Sequence, residues 1–236
     1  MNRPVIKKTL IAVTALILAI LLSCSPLKQY RNLPEVRAWE PEIAKFDSLN
    51  KIVKYPCDAI IFAGSSSIRL WTTLADDMSP YSVIQRGYGG AKLSDFAVYA
   101  GRILSPLKCR ALVLFIGNDI TGGKSDKTPE EVRDLFSNIH KTFRKDHPGV
   151  PVFYVAVTPT PSRWKAWPEI SRGNELVKKW CERHRNTYFI ATDTAFIDAS
   201  GKPKAELFRN DHLHLNTQGY KVWTNIIKGE LDRVLK

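Results

Sequence analysis

Cysteine is scarce in this chain of 236 residues: four in all, too few for the dense cross-linking of a small disulfide scaffold. No internal repeat, no low-complexity block and no collagen-like glycine period occurs. With 44% hydrophobic and 25% charged residues, the composition also excludes an intrinsically disordered chain. The N-terminal apolar run, residues 9–22, is 14 residues long, short of the about 20 that a membrane-spanning helix needs. Neither an HExxH pair nor a cysteine-rich ligand set is present, so no metal is expected. Acidic residues are in deficit, 23 against 35 Lys plus Arg, for a formal charge of +12. That excess favours anionic partners such as lipid, acidic glycan or nucleic acid without selecting one, and a solvated basic surface is the simpler account. The length fits one domain, or at most two small ones.

The first residues read as an address. Arg3, Lys7 and Lys8 precede the apolar run, which ends in Leu21-Leu22-Ser23-Cys24. This end resembles a bacterial lipobox, which implies cleavage before Cys24 and lipidation of that cysteine; a plain secreted protein and an uncleaved anchor are the alternatives. The resulting organisation is a signal peptide over 1–23, a tether over 24–41 and a folded domain over 42–236, held by lipid at the cell envelope. The tether assignment rests on Pro26, Pro34 and Pro41 among polar residues. Cys57, Cys109 and Cys181 remain. Cys57 and Cys109 precede apolar runs at similar offsets, so a disulfide between them and three buried free thiols are both open.

Five short apolar runs, 59–63, 82–85, 111–116, 152–157 and 187–190, have strand length and little alternation, as expected of strands covered on both faces. Helical patterns separate them. Leu93, Phe96, Ala97, Ala100 and Leu104 keep the i, i+3, i+4, i+7 spacing. Thr128-Pro129-Glu130-Glu131 reads as a capping box opening a helix with Val132, Leu135, Phe136, Ile139 and Phe143 on one face. Leu176, Val177, Trp180 and Cys181 mark another helix, and Tyr220, Trp223, Ile226, Ile227 and Val234 the last. The alternation predicts a doubly wound parallel α/β sheet, whose ligand site lies beyond the carboxyl ends of its strands.

Polar residues sit at those ends. Gly64-Ser65-Ser66-Ser67 follows the first run; a serine at a strand-to-helix turn presents its hydroxyl beside backbone N–H groups. Gln85-Arg86-Gly87-Tyr88-Gly89-Gly90 follows the second and lets backbone approach a ligand closely. Gly117-Asn118-Asp119 follows the third, with an amide able to donate to a developing oxyanion and an aspartate expected to brace the loop. Each alone is also an ordinary turn. Near the C-terminus stands Asp211-His212-Leu213-His214, where an aspartate three residues before a histidine can fix its tautomer.

Together the four segments resemble the four blocks of the SGNH hydrolase, or GDSL-type esterase, superfamily, in order and from about Trp39 to the C-terminus. Gly64-Ser65-Ser66 stands for Gly-Asp-Ser, Gly90 for the second-block glycine, Asn118 for the third-block asparagine, and Asp211-xx-His214 for Asp-x-x-His. The sequence further resembles a bacterial subgroup of lysophospholipase-like esterases. The resemblance implies a three-layer α/β/α sandwich around a five-stranded parallel sheet of flavodoxin-like type. It implies Ser66 as nucleophile, His214 as base, Asp211 as its orienter, and Ser66, Gly90 and Asn118 as the oxyanion hole, with no cofactor. Three positions depart from the pattern. Ser65 replaces the usual aspartate, Ile116 holds the place of a glycine, and His212 either crowds the loop or faces solvent.

The expected function is carboxylic-ester hydrolysis at the envelope, with a short acyl group on a glycan or small ester as substrate and no nucleic-acid partner. A lysophospholipase or thioesterase, an acyltransferase, and a glycan- or lipid-binding lipoprotein on an inactive scaffold are the alternatives. Arg69, Trp164 and Trp167 are candidate substrate contacts, against ion pairing for Arg69 and loop packing for the two tryptophans. Trp71 reads as core, and His140, His147 and His184 as surface residues.

Overall fold

The computed structural model describes residues 27–236. The signal peptide expected over 1–23 and Cys24 lie outside the described residues. The core is a sheet of five parallel strands: β1 (Ile60–Gly64), β2 (Val83–Gly87), β3 (Ala111–Phe115), β4 (Val152–Val155) and β5 (Thr187–Ile190), in the order β2-β1-β3-β4-β5. All five expected strands form, and the order is that of a flavodoxin-like doubly wound sheet.

Strand side chains alternate between two apolar layers. Ile61, Ala63, Leu112, Leu114, Val152 and Tyr154 face one layer. It is closed by α3 (Glu40–Ile52), α6 (Leu93–Leu104), α7 (Pro129–Asp146) and α8 (Trp167–Glu182). Ile60, Phe62, Val113, Phe115, Phe153 and Val155 face the other. It is closed by α4 (Ser66–Arg69), α5 (Leu74–Asp77) and the long C-terminal α9 (Thr217–Leu235) through Trp223, Ile227 and Leu231. Trp71 is buried in this second layer, stacked at 5.3 Å on Tyr220, with its indole N–H donating to Asp77. The capping box at Thr128 and Glu131 forms as the sequence predicts.

The structure changes two expectations, the tether and the exposed histidines, and bears on the cysteine pairing left open. The stretch expected as a tether is folded from Leu27 onward. There, α1 (Lys28–Arg31) and α2 (Pro34–Arg37) bury Tyr30 and Val36 in the first apolar layer, and the Lys127 ammonium lies 4.8 Å from the Tyr30 ring centroid. His140 and His147 are buried rather than exposed. His140 Nε2 pairs with Thr187 and accepts from Arg144; burial, with the Arg144 charge beside it, pulls its pKa down to about 4. His147 bonds two main-chain carbonyls, of Phe143 and Leu107. The three described cysteines are free: Cys57 is exposed, Cys109 half-buried and Cys181 buried.

The end of β1 is under the tightest constraint. Gly64 has φ +142°, and a Cβ there would lie 1.8 Å from the carbonyl oxygen of Phe115 on β3. Only glycine permits this approach, which lets the Ser65 N–H donate to that same carbonyl at 3.0 Å. Gly64→Ala is expected to cost ~3 kcal/mol or more of stability, because the obstacle is backbone that cannot rotate away. Urea denaturation checks this, and a loss below about 1 kcal/mol would show that the strands can separate without penalty.

Candidate active site

The register of the sheet places the sequence segments side by side. Gly64 pairs with Gly87 of β2 and with Phe115 of β3. The chain therefore leaves three adjacent strands at one edge as Ser65-Ser66, Tyr88-Gly89-Gly90 and Gly117-Asn118. Here β1 gives way to β2 on one side and β3 on the other, the crevice position of doubly wound sheets.

Ser66 is the first residue of α4, so its N–H has no intrahelical partner. Its Oγ lies 2.8 Å from Nε2 of His214. Nδ1 of His214 lies 2.7 Å from Oδ2 of Asp211, and the other carboxylate oxygen accepts the backbone N–H groups of Leu213 and His214, each at 2.9 Å. Partial burial alone would raise the Asp211 pKa. The hydrogen bonds from the His214 ring and the two backbone amides outweigh it and hold the pKa at about 2. Asp211 is thus ionised at neutral pH, and an ionised acceptor places the proton of neutral His214 on Nδ1, leaving Nε2 to accept from Ser66.

The loop carrying this pair is pinned from several sides. Arg209 donates its N–H to the carbonyl of His214, Ser162 donates to that of His212, and Phe208 pairs with Leu215. Asn216 caps α9 with its Oδ1 and donates its Nδ2 to Glu206 and Phe208. Tyr220 on α9 donates to the carbonyl of Ser67, tying the serine turn to the same helix. His212 has φ +55° and is exposed, so it faces solvent rather than crowding the loop.

Asn118 sits at the mouth of the same cleft. Its Nδ2 donates to the Ala91 carbonyl at 2.9 Å, and its Oδ1 accepts from Arg163 at 2.7 Å. Ile116, at the place of the family's glycine, is buried in the first apolar layer, and Asn118 still reaches the cleft. Gly90 has φ +76° and is exposed. It lies against the Trp39 ring and lines the adjoining groove with Lys92 and Asp95 rather than the cleft itself, and its N–H takes no partner among the described residues.

Two buried carboxyls brace the loop between them. Asp119 accepts the Leu93 N–H on both oxygens, as its expected bracing role requires, and Asp95 accepts from the Tyr88 hydroxyl and the Lys92 N–H. Burial raises both, Asp119 to about 7 and Asp95 to about 6. Ser65, in the place of the usual aspartate, is buried beneath the turn.

A narrow cleft with about 30 Å³ of solvent-accessible space opens on this constellation. Ser66, Asn118 and His214 line it with Phe115, Val157, Leu213 and Arg163. The expected substrate contacts fall outside it. Arg69 is exposed and reaches no carboxylate within 4 Å among the described residues, so its expected ion pair does not form; its guanidinium lies beside Gly89. Trp164 and Trp167 stack on each other, centroids 6.1 Å apart, on the turn beside the cleft. The residue sequence reasoning passed over is Arg163, which stood in the Ser162–Pro168 segment with the two tryptophans but carried no signal of its direction.

Residues 58–222 match the profile of the GDSL-like Lipase/Acylhydrolase family. A comparison with curated proteins gives no match. Among solved structures, a Bacteroides fragilis protein assigned as an acylhydrolase is similar, with a TM-score of 0.72 at 19% identity, over 82% of this chain and 97% of that one. A GDSL-like lipase from Bacteroides thetaiotaomicron gives a TM-score of 0.68 at 15% identity, over 81% and 97%. A carbohydrate esterase family 3 structure from Talaromyces cellulolyticus gives 0.59 at 16% identity, over 75% and 97%.

Proposed function

The chain belongs to the GDSL-like lipase/acylhydrolase family and is a hydrolase of the esterase class; from that premise we propose that it removes short acyl groups, acetyl first, from a glycan or small ester through an acylated Ser66. The observation that carries this reading is the continuous relay from Ser66 Oγ to His214 to Asp211 at 2.8 and 2.7 Å. Ser66 Oγ attacks the ester carbonyl while Nε2 of His214 takes its proton. The carbonyl oxygen, now negative, is met by the N–H of Ser66 and the amide of Asn118, the two expected hole donors that line the cleft. The tetrahedral intermediate collapses, and His214 returns the proton to the leaving alcohol. Water, deprotonated by the same histidine, then releases the carboxylic acid and restores the serine.

Three features support the finer reading. The cleft walls of Phe115, Val157 and Leu213 lie close around Ser66 and suit a small acyl group. The Trp164–Trp167 pair stands on the turn that also carries Arg163, and indole faces suit the apolar face of a sugar. The basic start, the apolar run and Cys24 support secretion and a lipid anchor at the envelope. In hydrolysis of p-nitrophenyl acetate, butyrate and octanoate by the protein expressed from its full sequence, kcat/KM is expected to fall at least ~10-fold from acetate to octanoate. A preference for octanoate would favour the lysophospholipase or thioesterase reading. The same preparation, as isolated from a bacterial host, is expected to show by intact mass a chain beginning at a lipidated Cys24; a mass retaining residues 1–23 would remove the anchor.

A further inference from the structure

We infer that Arg163 is a positioning residue of the oxyanion hole, acting through Asn118; the inference rests on the serine-esterase reading above. Its guanidinium donates to Oδ1 of Asn118 at 2.7 Å and to the carbonyl of Gly117 at 2.5 Å, gripping both residues of the third strand end that face the cleft. Arg163 is half-buried, lines the cleft with Ser66 and His214, and has no carboxylate within 4 Å among the described residues. A cation withdrawn from water without a counter-charge is costly and calls for another use of the charge. Two other arginines away from water are accounted for differently: buried Arg86 lies by the rings of Phe46 and Tyr55 and donates to Asn50, and half-buried Arg144 donates to His140 and the carbonyls of Val150 and Asn186.

The hydrogen-bond pattern defines what Arg163 does. Arginine has only donors, so the Asn118 atom facing it is the oxygen, and the amide nitrogen points the other way. Of the two Nδ2 protons, one is held by the Ala91 carbonyl. One N–H remains, and its direction is fixed by the other two bonds. A charged donor on Oδ1 also polarises the amide and strengthens that remaining N–H as a donor. The same positive charge lies near the oxygen that becomes negative in the transition state, where charge counts for more than in the ground state.

The test is steady-state turnover of p-nitrophenyl acetate by Arg163→Met, Arg163→Lys and Asn118→Ala, with Arg163→Met also built on Asn118→Ala. Removing a hole donor outright costs ~10²–10³ in kcat, so Arg163→Met is expected to lower kcat by ~10–100-fold while KM stays within about 2-fold. Arg163→Lys is expected to recover part of the loss, because an ammonium can still reach one of the two acceptors. On the Asn118→Ala background, Arg163→Met is expected to cost less than ~3-fold more, since its action runs through the missing amide. Should Arg163→Met fail to fold, the kcat and KM of Arg163→Lys carry the comparison, alone and with Asn118→Ala. Wild-type kcat in the arginine variants, a rise in KM alone, or equal losses with and without Asn118 would overturn the inference while Ser66→Ala stays inactive. Wild-type turnover in Ser66→Ala would instead overturn the serine-esterase reading itself.

Discussion

Ser66→Ala is expected to lower kcat for p-nitrophenyl acetate by ~10⁴–10⁶-fold, about 5–8 kcal/mol of transition-state stabilisation. The size follows from what the hydroxyl does. With Oγ gone there is no atom to acylate, and His214 has nothing to deprotonate except water held in no defined place. The hole donors remain, so a residual rate above solvent hydrolysis is expected. The fold should be unaffected. The Oγ makes a hydrogen bond only to His214 among the described side chains, is partly exposed, and sits at the first position of α4, where alanine is well tolerated. Phosphonylation by a fluorophosphonate offers a substrate-independent check, with the label expected on Ser66 of the wild type and absent from the variant. Equal hydrolysis by both proteins, or labelling that survives the substitution, would remove Ser66 as the nucleophile.

The fold was legible where burial leaves a periodic trace. β1, β3 and β4 are covered on both faces and read as apolar runs. β2 was placed only in part, because it is an edge strand whose Arg86 is buried by the rings of Phe46 and Tyr55, and a charged residue breaks an apolar run. The arm before Trp39 was read as a tether for the same reason: Tyr30 and Val36 are isolated among polar residues, and only their partners on the domain show them as core. His140 and His147 were misplaced because a buried polar ring is identified by its hydrogen-bond partners, which here come from residues up to 47 positions away. The site divides in the same way. Ser66, Asn118, Asp211 and His214 were found as segments, because each chemistry sits in a few consecutive residues at a strand end. Arg163 was not, because its function lies in the direction of a long side chain across the cleft.

Asp211→Asn is expected to lower kcat by ~10³–10⁴-fold, and the reason is tautomeric rather than structural. The wild-type carboxylate gives one oxygen to the His214 ring and the other to the N–H groups of Leu213 and His214. Asparagine can keep its oxygen on the two backbone donors, so the loop holds its shape. Its NH2 then faces Nδ1 of His214, which must become the acceptor, and the ring proton moves to Nε2, the atom that has to receive the proton of Ser66. Asp211→Ala loses the ring contact and both backbone bonds, and is expected to lose stability as well as turnover, which separates the two roles. The pH dependence adds a second check. The folded pKa of Asp211, about 2, lies below its ordinary 3.8, so its contribution to stability is present above about 4 and is lost as pH falls toward 2. The Asn variant should therefore lose less stability than wild type across that acid window, while its turnover deficit persists at neutral pH, where Asp211 is fully ionised. An Asp211→Asn protein with near-wild-type kcat would show that Ser66 and His214 work as a dyad and that Asp211 is a loop fastener alone.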